Sequence, residues 1–209
     1  MMLLKILFYV IFIYMQNICL IIGAGAGVGG NVAKVFANDG YHVYLTRRSD
    51  ESGLKKLIDT INASGGKASG KLMNAIKDNT IEDLIHEVEK DLGPISVVVY
   101  NLGAQIGNKK LEDLTLKQFD LGLKMGTVGI FRLSKTLFPY MVKRGEGTLI
   151  ATSSTASVRG NRGQHSHAAA MGARRMLCQT LNDEFSIKGI HIVHAVSYTH
   201  LRAHETDIN

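Results

Sequence analysis

Residues 18–22, Ile-Cys-Leu-Ile-Ile, run straight into Gly23-Ala24-Gly25-Ala26-Gly27-Val28-Gly29-Gly30, and a periodic segment from Val32 to Ala37 follows at once. An apolar strand that breaks into glycine and restarts as a helix constrains this chain more than any other stretch. Glycines at such a turn let backbone N–H groups come close to a phosphate, and the new helix N-terminus adds partial positive charge. Two spacings coexist: Gly25, Gly27 and Gly30 form G-x-G-x-x-G, and Gly23, Gly27 and Gly29 form G-x-x-x-G-x-G. The first alone is a weak signal in so glycine-rich a run. A tight turn kept small only for helix–sheet packing explains the flanking strand and helix less well than a dinucleotide site.

The rest of the chain repeats the strand-then-helix pattern. Short β-branched or apolar runs bounded by Gly, Pro or Asn predict strands at 18–22, 42–46, 69–73, 95–100, 147–153 and 190–195. Helices are expected at 28–38, 51–63, 80–91, 113–125 continuing toward 143, and 165–186. Such alternation implies right-handed βαβ crossovers and a parallel sheet covered on both faces. Ligands of this architecture bind beyond the carboxyl ends of the strands, where the strand order reverses. That rule places the glycine loop, Arg47, Asn101 and Ser154 along one crevice.

The chain's 209 residues suffice for one domain with a sizeable core, and its composition is ordinary at 45% hydrophobic and 20% charged. Its net charge of +6 is dispersed among many acids, which argues against a nucleic-acid surface and suits a polyanionic small ligand equally well. Cys19 and Cys178 fall in a predicted strand and a predicted helix without C-x-x-C, as expected for buried thiols in a reducing cytoplasm.

Both ends read as foreign to this domain. Residues 1–14 (MMLLKILFYVIFIY) imitate an anchor but reach the roughly 20 residues of a span only by consuming the first strand. No small-residue cleavage site follows, and Met15 offers a natural start, so 1–14 are expected to be upstream translation and no membrane association is expected. Val196 to Thr206, VSYTHLRAHET, resembles the translation of a transposase adapter used in sequencing libraries. Residues 196–209 are therefore expected to be an adapter-derived tail, and His200 and His204 are set aside as metal ligands.

Several motifs in fixed order make residues 17–195 resemble the short-chain dehydrogenase/reductase superfamily. They are the G-x-x-x-G-x-G loop, Tyr100-Asn101-Leu102-Gly103-Ala104, Thr148 to Ser154, and GIHIVHAV opening the sixth strand. The resemblance implies a single α/β domain, a Rossmann-type doubly wound parallel sheet, here spanning 15–195 and C-terminally truncated. The family's substrate loop and last strand would follow the sixth strand, which leaves the substrate unidentified.

It also implies a cofactor site built from Gly23, Gly25, Gly27, Val28, Gly29, Asn101 and Gly103. At the end of the second strand an acid would bind the ribose of NAD, whereas an Arg accommodates the 2′-phosphate of NADP. This chain has Arg47 and Arg48 there, which favours NADP(H) over NAD(H). Asn74 stands where the family commonly has an Asp near the adenine, and an amide can make the same hydrogen bond.

The catalytic pattern departs from the family. Counting from Ser154, the family's Tyr falls at His167, its Lys at Met171, and its Asn at Gly126. Only the serine matches. Tyr has a reference pKa near ~10 and needs a neighbouring cation at neutral pH; His, near ~6.5, does not. Losing Tyr and Lys together is thus coherent, with His167 exchanging the proton while Ser154 orients the carbonyl. Two readings stand: an NADP(H)-dependent oxidoreductase acting on a small carbonyl or alcohol, or a non-catalytic NADP(H)-binding sensor or scaffold.

His165 and His167, at i and i+2, do not share a helix face, so no metal site is expected. Arg174 and Arg175 lie two turns beyond His167 and read as surface or subunit-contact charges. The resemblance implies a homo-oligomer, for which Leu133, Leu137 and Tyr140 with Met176, Leu177, Thr180 and Leu181 supply a permissive pattern.

Overall fold

The computed structural model describes residues 17–103 and 106–197, so both expected foreign segments lie outside the described residues except Val196 and Ser197. Strands β1 (Ile18–Ile22), β2 (His42–Arg47), β3 (Lys67–Leu72), β4 (Ile95–Tyr100), β5 (Gly147–Ser154) and β6 (Ile190–Ser197) form one sheet. All neighbours pair in parallel in the order β3-β2-β1-β4-β5-β6. The strand β6 takes in Val196 and Ser197, two residues beyond its expected end.

Helices α1 (Val28–Asn38), α2 (Glu51–Ala63) and α3 (Thr80–Asp91) begin and end where the sequence places them. The helices α4 (Leu116–Leu123), α5 (Gly129–Arg144) and α6 (His165–Phe185) complete the fold. Every residue of β1 is buried because both sheet faces are covered. Ile18, Leu20 and Ile22 join the core beneath α3, α5 and α6, while Cys19 and Ile21 join the one beneath α1 and α2. Period-two alternation thus feeds two cores from a single apolar run. Both cysteines are buried free thiols, and burial pushes that of Cys178 up to about 11.

One expected element differs. The helix predicted to continue from 113 toward 143 is two helices joined by a π-helical turn at Lys124–Val128. Side chains inserted from other elements account for the wider turn, since the Tyr100 hydroxyl donates to the Met125 carbonyl at 2.7 Å and Arg174 Nε to the Gly126 carbonyl at 2.6 Å. Gly129 permits the approach: a Cβ there would stand 1.9 Å from the Tyr100 hydroxyl oxygen.

The strand order reverses between β1 and β4. Their carboxyl ends diverge into the glycine loop on one side and Asn101 on the other, which opens a crevice at that edge.

Candidate functional site

The loop after β1 contains two kinds of glycine. Gly23 has φ +100°, and a Cβ on it would meet the Asn101 carbonyl oxygen at 2.7 Å. A Cβ on Gly29 would meet the Gly23 carbonyl oxygen at 2.2 Å and Asn101 Nδ2 at 2.8 Å. These positions are closed by the protein's own backbone. Around Gly25 and Gly27 a Cβ would meet nothing within 4 Å. Those two glycines therefore leave open space at the start of α1, whose first turn has no acidic residue and whose N-cap, Gly27, supplies no side-chain cap. Val28 opens that turn, so its N–H faces the same space. This cradle fits a pyrophosphate.

Asn101 secures the loop. It donates from Nδ2 to the Gly23 carbonyl at 2.8 Å and accepts the Thr152 hydroxyl on Oδ1 at 2.8 Å. Its side chain thus ties β1, β4 and β5 together at their carboxyl ends and holds the glycine loop in place. Gly103, two residues on, is exposed with open space around it.

Arg47 ends β2 between two clefts. Arg47, Arg48, Asn74, Ala75 and Ile76 line the first, together with Leu102, Leu121 and Met125. The second is lined by Gly25, Lys34, Arg47, Asp50 and Lys56, so it gathers three cations and one acid beside the glycine loop. Arg47 Nη1 lies 2.9 Å from Asp50 Oδ2, with Arg47 only 18% exposed against 52% for Asp50. Asp50 caps α2 by accepting the Gly53 N–H at 2.9 Å and the Ser52 hydroxyl at 3.0 Å. These bonds, with Arg47 as a further contribution, hold its carboxyl below the usual range. Lys34 and Lys56 were not anticipated from the sequence. Their spacing is informative in hindsight, since Lys34 sits one helical turn from Gly30 and Lys56 one turn from Gly53.

Ser154 and His167 meet. Ser154 Oγ lies 3.1 Å from His167 Nε2 at the carboxyl end of β5, and the histidine stands in the first turn of α6. The serine Oγ also accepts the Ala156 N–H at 3.3 Å, which fixes it at the head of a short 3-10 turn. Met171 is buried against Ala156 and Ala170, with Leu123 and Ala168 packed around the group, and it accepts a hydrogen bond from Ser153 on its sulfur at 3.6 Å. It is neutral packing, with no charge to offer the site.

Arg174 is where the sequence reading is corrected. Instead of a surface or subunit-contact charge it is 1% exposed. Its Nε donates to Gly126, Nη2 to Leu102 at 2.7 Å, and Nη1 to the Thr152 carbonyl. The guanidinium carbon lies 5.3 Å from the Tyr100 ring centroid, a cation–π contact. One signal could have found it. Ala170, Met171, Arg174 and Cys178 follow helical spacing and form a buried stripe on α6, with Arg174 in the middle.

The oligomer pattern is also corrected in part. Leu133 and Leu137 are fully buried in this chain's own core, and the Tyr140 hydroxyl bonds His86 Nδ1 at 3.0 Å. Met176 remains exposed. Among the described residues no helix is long and apolar enough to cross a membrane, and no cluster of His, Cys, Asp and Glu could hold a metal ion.

Comparison with known proteins gives a consistent family. The model of the short chain dehydrogenases matches residues 17–203. A curated relative, the 3-oxoacyl-[acyl-carrier-protein] reductase FabG of Thermotoga maritima, is 27% identical over 180 residues, covering 84% of this chain and 71% of its own. A short-chain dehydrogenase from Rhodopseudomonas palustris superposes with a TM-score of 0.83 at 27% identity, covering 88% of this chain and 85% of that one. A gluconate 5-dehydrogenase from Burkholderia cenocepacia, solved with NADP and tartrate, shares the fold with a TM-score of 0.79 at 23% identity, covering 90% and 74%. With the six parallel strands and the glycine loop at their switch point, these matches place the chain in the short-chain dehydrogenases, a family of NAD(P)-dependent oxidoreductases.

Proposed function

We propose that this protein uses NADP(H) to interconvert a small carbonyl compound and its alcohol, with His167 in the proton-transfer role and Ser154 orienting the substrate oxygen. The observation that carries the reading is the 3.1 Å contact between Ser154 Oγ and His167 Nε2 at the carboxyl end of β5, the same edge of the parallel sheet at which Arg47 ends β2.

The residues present fit the cofactor. The open backbone around Gly25 and Gly27 with the start of α1 at Val28 would hold the pyrophosphate, with Gly23 and Gly29 allowing the loop to close on itself, and Asn74 with Ala75 and Ile76 would flank the adenine. Arg47, Lys34 and Lys56 would surround the 2′-phosphate, with Arg48 at the rim of the adjoining cleft. A guanidinium matches phosphate in charge and geometry, whereas the ribose hydroxyls of NAD(H) would call for an acid at Arg47. Bound NADPH supplies hydride to the carbonyl carbon. As negative charge develops on the substrate oxygen, the Ser154 hydroxyl donates a hydrogen bond to it and His167 delivers a proton from Nε2. In the reverse direction His167 accepts that proton from the alcohol. Cytoplasmic location and homo-oligomerisation belong to the same proposal, the latter with exposed Met176 of α6 available to a second copy.

Fluorescence titration with NADPH and NADH, followed by NADPH consumption against a panel of aldehydes and ketones, tests the reading. It expects saturable binding that favours NADPH by about tenfold, and turnover on at least one carbonyl compound. Binding without turnover across the panel would establish the sensor or scaffold instead, and equal affinity for NADH would remove the role given to Arg47.

A further inference from the structure

Arg174 is a buried cation without an acid. Among the described residues no ion pair includes it: its N–H groups go to three backbone carbonyls and its guanidinium faces Tyr100, with Cys178 and His194 within its field. Carbonyl dipoles satisfy its N–H groups without cancelling its charge. Burial lowers its pKa to about 10, so it remains protonated at neutral pH.

Its position relative to the crevice is specific. Leu102 and Met125 line the first cleft. Arg174 binds the carbonyl of Leu102 itself and that of Gly126, the residue next to Met125. A third bond goes to Thr152, two residues before Ser154 on β5. The charge therefore stands behind Leu102 and the Met125–Gly126 segment, on the β4–β5 side of the crevice and across β1 from Arg47 of β2, the side on which a dinucleotide anchored at Arg47 would place its nicotinamide.

The oxidised and reduced dinucleotides differ at that ring: oxidised nicotinamide is cationic and reduced nicotinamide is neutral. We propose that Arg174 sets the redox-state preference of the crevice, its fixed positive charge disfavouring the oxidised dinucleotide and leaving the reduced one unpenalised. This rests on the NADP(H) reading above. The same charge favours the negative oxygen that develops during carbonyl reduction, so Arg174 acts as a positioning and electrostatic residue behind Leu102, without touching substrate.

Dissociation constants for NADPH, NADP+ and adenosine 2′,5′-bisphosphate, measured by calorimetry on wild type, Arg174→Gln and Arg174→Lys, test the proposal. Wild type is expected to bind NADPH about tenfold more tightly than NADP+, the scale of a screened charge–charge repulsion across one layer of side chains. R174Q, which keeps N–H donors but no charge, should lose most of that ratio, and R174K should keep it within about twofold. The bisphosphate, which lacks nicotinamide, should bind all three proteins alike. A wild-type ratio at or below one overturns the proposal even if R174Q does not fold. An unchanged ratio in R174Q, or its loss in both variants, overturns it as well. Failure of every dinucleotide to bind would instead overturn the crevice reading on which the proposal rests.

Discussion

At the phosphate end of the crevice, backbone meets backbone. Gly23 and Gly29 lie so close to neighbouring carbonyls that no side chain fits, and Asn101 clamps the loop to β4 and β5. At the reacting end, the same task of holding three segments together falls to one long side chain, Arg174, threaded between the π-turn, β5 and the residue after Asn101. The first solution is built from absent side chains and depends on spacing. The second is built from a charge and depends on burial. Substitutions that add bulk should therefore break the first end, and substitutions that remove charge or length should break the second.

The largest expected effect on that comparison comes from Gly29→Ala. Its Cβ would stand 2.2 Å from the Gly23 carbonyl oxygen, so the loop must shift. A loss of about 1–3 kcal/mol in unfolding free energy is expected, with NADPH affinity falling by tenfold or more. Gly25→Ala sharpens the contrast. With open space around it, this variant should keep stability within about 0.5 kcal/mol of wild type and lose affinity alone. Chemical denaturation paired with NADPH titration separates the two glycine classes.

A smaller effect is expected from Arg47→Ala. Losing a charge-assisted hydrogen bond to the 2′-phosphate should weaken NADPH binding by about tenfold and leave NADH within about twofold. An equal loss for both dinucleotides would mean that Arg47 serves mainly to hold Asp50 and the start of α2.

The smallest concerns an ion pair one residue removed from the first cleft, since Arg132 Nη1 also donates to the carbonyl of Ala75, which lines it, at 3.1 Å and keeps that bond when Glu82 is changed. Arg132 of α5 forks onto Glu82 of α3, with Nε at 2.9 Å and Nη2 at 2.6 Å, and this bonding holds the Glu82 carboxyl below its ordinary range. A depressed carboxyl contributes stability that is fully present above its unfolded value, about 4.3, and is lost as pH falls through the folded one. Glu82→Gln should cost about 1 kcal/mol at neutral pH, flatten the acid limb of the stability profile, and leave dinucleotide binding unchanged. Urea titrations between neutral pH and about pH 3 check the sign.

The same division explains what could be read in the sequence. Apolar runs located the central strands β1 and β4, since a strand covered on both faces must be apolar throughout, while the polar edge strand β3 was placed only to within two residues. The thirteen-residue step from Ser154 to His167 runs from a strand end to a helix start, and the two side chains lie in contact. Arg174 was missed because a charged residue on a helix is ordinarily solvated; only its membership of a buried stripe with Ala170, Met171 and Cys178 marks it as internal. The π-turn was illegible for a related reason. It forms where Tyr100 and Arg174, remote in sequence, reach the carbonyls of Met125 and Gly126.

The proposed proton transfer depends most on His167, whose Nε2 lies 3.1 Å from Ser154 Oγ. Carbonyl-dependent NADPH consumption by wild type and His167→Ala, with NADPH affinity measured on the same samples, tests that dependence directly. Removing a proton donor should lower turnover by about 10²–10⁴-fold while binding and fold persist. Turnover unchanged in His167→Ala would contradict it.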